Sequence, residues 1–134
     1  MKLIVCIGDR GGMLFNKRRV STDRVVTEKI LCLCGSENLF VSPYSYPLFA
    51  STENVVCADD LVSTATNGWC FAEEQDVSGI LEKADKLVVF HWNRAYPADM
   101  YFPMEQVQRD WQLEYSEEFP GHSHKKITME VYRK

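Results

Sequence analysis

The order of elements in the last third of the chain, Ala84 to Lys134, limits the fold more than any other feature. Lys86-Leu87-Val88-Val89-Phe90-His91-Trp92-Asn93 is a strand with a charged start and an apolar body. An irregular stretch, Arg94 to Glu105, follows and carries Pro97 and Pro103. Trp111 to Phe119 and Lys125 to Arg133 then alternate in character around Pro120-Gly121, which reads as an antiparallel hairpin.

The earlier residues alternate strands with helices. Leu3 to Ile7 is a continuous apolar run, the pattern of a strand buried on both faces. Gly8 to Gly12 reads as a flexible turn, and Met13 to Val20 as a loop holding the basic run Lys17-Arg18-Arg19. Ser21 or Thr22 suits a helix cap, with Asp23 in the first turn near the positive helix end. That helix is predicted to run to Leu33, with Val26, Ile30 and Leu33 on its inner face and Gly35 as its stop. Asn38 to Val41 is a second strand. Ser42 and Pro43 look like a helix start, kept short by Pro47. Asn54 to Cys57 and Trp69 to Phe71 are further strands, Leu61 to Asn67 is polar with weak pattern, and Asp76 to Ala84 is a helix. Strand–helix–strand order favours parallel pairing. The expectation is one α/β domain over residues 1–134, with a central mixed, mostly parallel sheet and a C-terminal antiparallel hairpin.

Bulk properties narrow the function classes. A chain of 134 residues suits one domain, and 46% hydrophobic with 25% charged residues is ordinary for a globular protein. A net charge of -4 gives no general electrostatic reason to bind nucleic acid or an anionic membrane. No run approaches the apolar length of a membrane span, and Leu3 to Ile7 is too short for a signal peptide. The five cysteines (Cys6, Cys32, Cys34, Cys57 and Cys70) sit mostly in apolar runs and read as buried free thiols of a cytoplasmic protein. Cys32-Leu33-Cys34 has neither redox nor zinc spacing.

Several groups of residues point to chemistry, each with a plainer alternative. Lys17-Arg18-Arg19, with Arg24 after it, could clamp a phosphate or carboxylate, or be a solvated loop. In a strand, His122 and His124 would point the same way and could meet one metal, yet no third ligand is marked by spacing. The pair therefore reads as turn histidines without a metal. His91 is a lone histidine in an apolar strand and reads as a satisfied core residue. Trp92, Tyr96, Tyr101 and Phe102 form an aromatic belt that either binds flat rings or packs an irregular loop onto the sheet.

Taken in order, these elements resemble a dihydrofolate reductase. The likeness rests on Leu81-Glu82-Lys83-Ala84-Asp85-Lys86-Leu87 leading into the strand, on Tyr101-Phe102-Pro103 and Asp110-Trp111, and on Tyr115 to Phe119 and Ile127 to Lys134. It is weakest over Ala50 to Gly68, where the chain is short by a strand–helix segment. The resemblance implies a buried carboxylate on the first helix that hydrogen-bonds a pterin, for which Asp23 is the candidate catalytic residue. The other reading of Asp23 is a charge complementing the helix dipole. The resemblance also makes Gly11 to Arg19 the mobile loop over a ligand. The site would then hold Gly12, Met13, Lys17, Arg18 and Arg19 from that loop, with Phe90 and His91 from the fifth strand.

The cofactor positions depart from the family pattern. Where the resemblance implies paired glycines beside NADPH phosphates, this chain has Ala72-Glu73-Glu74. Two carboxylates against two phosphates in a partly desolvated site would cost on the order of several kcal/mol. The family's Gly-Arg or Gly-Lys becomes Ser42-Pro43, no cation lies in Leu48 to Asn54 for a folate tail, and Phe90 takes the place of a pterin-contacting threonine. No cofactor is therefore expected. The leading expectation is a protein of this fold without reductase activity that binds a small flat ligand or a protein partner. One alternative is an NADPH-dependent reductase of dihydrofolate or a related pterin or pyrimidine. Another is a small interaction module using the basic loop.

Overall fold

Residues 1–49, 52–64 and 67–134 are described in the structure, a computed structural model. The predicted weak stretch Leu61 to Asn67 and the weakly matching Ala50 to Gly68 lie partly outside those residues. Lys2–Ile7 forms β1. Gly12–Phe15 (β2) and Arg18–Arg19 (β3) then pair as a hairpin, where the sequence predicts a loop. Asn16 and Lys17 at its tip both have positive φ, 52° and 65°, as a two-residue hairpin turn demands. A lysine in the second left-handed position masks that signal.

Helix α1 spans Arg24–Cys34 and buries Val26, Ile30 and Cys34, one residue per turn at a spacing of four. Cys34 thus takes the inner place predicted for Leu33, which is only partly buried. Leu39–Val41 is β4. The helix predicted from Ser42 does not form. The Ser42 carbonyl instead accepts the N–H groups of Ser45 and Tyr46 in a turn, followed by a 3₁₀ segment over Tyr46–Phe49. Val55–Cys57 (β5), a short helix Leu61–Thr64 (α2), Trp69–Phe71 (β6), Ser78–Lys83 (α3) and Lys86–His91 (β7) follow.

The stretch predicted as irregular contains Met100–Tyr101 (β8), and the helix Met104–Asp110 (α4) follows Pro103. Helix α4 escapes a pattern search because only Val107 in it is buried. Gln112–Phe119 (β9) and Ile127–Arg133 (β10) form the expected antiparallel hairpin.

Among the described residues, seven strands make the main sheet in the order β5-β4-β6-β1-β7-β10-β9. The first five are parallel to their neighbours, and β10 pairs antiparallel with both β7 and β9. The mostly parallel sheet with an antiparallel end is therefore as the sequence implies. A small sheet, β3-β2-β8, lies apart from it.

Side chains of the central strands alternate between two apolar layers. Leu3, Val5, Ile7, Leu87 and Val89 pack with Ile80 of α3 and Val107 of α4. Ile4, Val88 and Phe90 pack on the other face with Val26 and Ile30 of α1. Among the described residues no helix is long and apolar enough to cross a membrane.

Candidate functional site

Asp23 is a buried carboxylate with both oxygens hydrogen-bonded. It is the N-cap of α1, with extended backbone, rather than a first-turn residue, and its Oδ1 accepts the Val25 N–H at 2.9 Å. The rest of the carboxylate is claimed by the β9–β10 turn. The His122 N–H reaches Oδ1 and the Ser123 N–H reaches Oδ2, each at 2.9 Å, and the Ser123 hydroxyl donates to Oδ2 at 3.1 Å. His124 Nδ1 completes the shell, 2.9 Å from Oδ2. Gly121 lets the turn come this close, since a Cβ there would lie 2.6 Å from Asp23 Oδ2. Burial opposes ionisation of Asp23, but the bonds from His122, His124, Ser123 and Val25 outweigh it and hold the carboxyl well below the usual carboxylate range.

A buried carboxylate at Nδ1 makes that nitrogen the donor, so Nε2 of neutral His124 is the acceptor. Two hydroxyls face it: Ser21 Oγ at 2.9 Å and Tyr96 Oη at 3.0 Å, themselves 3.2 Å apart. Trp92 lies flat on the imidazole, with ring centroids 4.7 Å apart, and fixes its plane. His124 is 5% exposed, whereas Ser21 and Tyr96 are partly open to solvent. The result is a chain of side chains, Ser21 to His124 to Asp23, running from the surface to a buried anion.

A second polar cluster joins Arg19 of β3 to Glu73, two residues past the end of β6. Glu73, 7% exposed, takes both prongs of the Arg19 guanidinium, at 2.8 Å from Nε and 3.0 Å from Nη2. The Ser45 hydroxyl donates to Oε1 at 2.7 Å, and Tyr44 stacks on the guanidinium at 4.3 Å. Burial works against the Arg19 charge, but its bond to Glu73 prevails and raises its pKa.

Two spaces flank the central strands. A groove of about 630 Å³ runs between the Ile7 to Gly11 segment and α4, with His91, Phe102 and Arg109 in its walls. The space beside Asp23, between α1 and the sheet, is only about 10 Å³, close to the least that holds one water.

No protein-family model matches the sequence, and no curated protein matches it. Among solved structures, the dihydrofolate reductase from Enterococcus faecalis complexed with NADP(H) and RAB-propyl is similar, with a TM-score of 0.70 and 9% sequence identity. The match covers 98% of this chain and 94% of that one. The chain has the dihydrofolate reductase fold. Identity this low carries the architecture and nothing about what the chain binds.

Within this dihydrofolate reductase fold the residues singled out from the sequence do not converge. Phe90 and His91 are neighbours in β7 and therefore point to opposite sheet faces. Phe90 is fully buried, edge-on to Phe119 in the α1 layer. His91 faces the groove and bonds Glu130 through Nε2. Met13 is a core residue at 3% exposure, and Gly12 is buried, with no room for a Cβ against Ala98. Lys17 and Arg18 are exposed on the hairpin, while Arg19 is spent on Glu73.

The histidine pair also separates. Residues 121–124 form a turn rather than a strand, so His124 goes inward and His122 lies outside, with Nδ1 3.2 Å from Arg24 Nη2. No group of three possible metal ligands occurs among the described residues. Tyr96 packs toward the interior and Tyr101 stays exposed, so the aromatic belt does not act as one unit. Sequence reasoning missed Ser21 as anything but a cap, because its partner His124 is distant in the chain.

Proposed function

We propose that this protein is a non-reductase of the dihydrofolate reductase fold that binds a small flat ligand. The carrying observation is the Arg19–Glu73–Ser45 cluster. Glu73 stands two residues past β6, in the segment where the resemblance implies glycines beside cofactor phosphates. That carboxylate is paired with Arg19, so the guanidinium is already committed and is not free to meet dinucleotide phosphates. The near absence of space between α1 and the sheet further supports this reading. Hydride chemistry belongs to the cofactor, so a protein that does not hold it has lost the reaction.

The groove beside His91 is the natural seat for a ligand, since its volume falls in the range typical of small-molecule sites. Backbone of the Gly8 to Gly11 turn and the cations Arg10 and Arg109 line it, which suits a flat molecule with acceptor groups. Titration with NADPH, followed by nicotinamide fluorescence against a conventional reductase, tests the first half of the proposal. No saturable binding at high micromolar cofactor is expected. Saturable binding would restore the NADPH-dependent reductase reading. A thermal-shift screen of pterins, purines and pyrimidines, repeated on Arg109→Ala, tests the groove.

A further inference from the structure

The Ser21–His124–Asp23 chain has the bond order and spacing of an activated nucleophile. A hydroxyl lies 2.9 Å from an imidazole nitrogen, whose other nitrogen lies 2.9 Å from a buried carboxylate. Such constellations are recognised by geometry and roles, not by position in the chain. Each part has a reason to hold its place. Asp23 is fixed by four other donors from Val25, His122 and Ser123, and stacking on Trp92 fixes the ring. Only Ser21 is left partly open to solvent within the chain of three.

The surroundings can receive a substrate. Ser21 itself lines only the small space beside Asp23, but its neighbours Val20 and Tyr96 line an adjoining surface cavity of about 380 Å³ with Phe15, Arg18, Arg19 and Pro97. Its walls are largely apolar, with the Arg18 cation at the rim. Arg94, outside that lining, reaches the Tyr96 hydroxyl with Nη1 at 3.4 Å. The indole N–H of Trp92 is buried with no hydrogen-bond partner, on the wall of the small cavity that also contains Ser21.

We propose that Ser21 is a catalytic nucleophile for hydrolysis of a small ester with an anionic acyl group, seated in the Arg18–Tyr96 cavity. Ser21 Oγ bonds to the ester carbonyl carbon while its proton passes to His124 Nε2. The carbon–oxygen bond to the alcohol breaks, and the alcohol leaves with that proton. Water then adds to the acyl-Ser21 ester and gives a proton to His124. The acid departs and Ser21 Oγ takes the proton back. Asp23 stays ionised throughout and steadies the transient imidazolium. The Tyr96 hydroxyl, which donates to Ser21 Oγ at 3.2 Å, would turn to the carbonyl oxygen as charge develops there. This activity is independent of the groove beside His91.

The test is covalent. Purified protein is treated with a small alkyl fluorophosphonate, followed by intact-mass measurement and peptide mapping. The expected result is one adduct, on Ser21, that is absent from Ser21→Ala and forms more slowly, on the same residue, in Tyr96→Phe. In His124→Gln the labelling rate falls by at least about a hundredfold, the scale of a lost general base. Ser21→Ala leaves the Asp23–His124 pair whole, so it decides the matter even where His124→Gln unfolds. Turnover of p-nitrophenyl hemisuccinate, with an initial burst lost in Ser21→Ala, is expected alongside. No adduct on the folded wild type, or an adduct on Tyr96 or another residue, would overturn the proposal and leave the network a purely structural one.

Discussion

Asp23 and His124 stand 101 residues apart in sequence and 2.9 Å apart in space. The contact joins the first helix to the last hairpin, and it buries a negative charge that the surrounding donors keep ionised. Its consequences for stability can be read with pH.

Asp23 has its carboxyl held well below the usual range in the folded protein. A depressed carboxylate contributes stability that is full above the unfolded value, about 4, and is lost as pH falls through the folded value. Stability should therefore decline as pH drops below about 4, at up to roughly 1.4 kcal/mol per pH unit from this group. Asp23→Asn should lower stability at neutral pH and flatten that acid slope. Urea unfolding of both proteins from pH 7 to pH 3 checks it, and equal slopes would show that Asp23 is not the responsible group.

The Arg19–Glu73 pair gives a second prediction. Arg19→Ala strands a buried carboxylate and should cost about 3 kcal/mol, near the lower end for a broken buried pair because Arg19 keeps some solvent contact. Removing both charges in Arg19→Met/Glu73→Leu should recover most of that loss. Denaturant midpoints of Arg19→Met, Glu73→Leu and the double variant form the cycle. Additive losses would mean that the pair is not coupled.

The cysteines divide in a way that the sequence does not show. Cys32 and Cys57 are exposed, contrary to the reading of all five as buried. Burial pushes the thiols of Cys34 and Cys70 up to about 12, and raises that of Cys6 well above its ordinary value. Iodoacetamide on the native protein should modify Cys32 and Cys57 first, and reach Cys34 and Cys70 only with denaturant. Early modification of Cys70, mapped by mass spectrometry, would contradict the packing of β6.

The sheet was legible because its strands are apolar runs separated by helical segments, a local signal. Helix α4 was not, since one buried valine makes no stripe, and the β2–β3 hairpin hid behind a lysine at its turn. The site was less legible still. Phe90 and His91 look like one constellation in sequence, yet the alternation of a strand sends them to opposite layers. Asp23 was visible as a charge worth weighing, but its partners come from a turn near the other end of the chain. Ser21, His124 and Asp23 share no spacing rule, because the fold alone brings them together.

The cap on α1 has a further consequence during biosynthesis. The Asp23 carboxylate receives most of its donors from His122, Ser123 and His124. A ribosome releases the helix long before it releases that turn. Until the turn emerges, the nascent helix start carries a hydrated, mobile carboxylate, and β7 still lacks β10 beside it. Closure of the hairpin therefore completes both the sheet and the helix terminus in one late step.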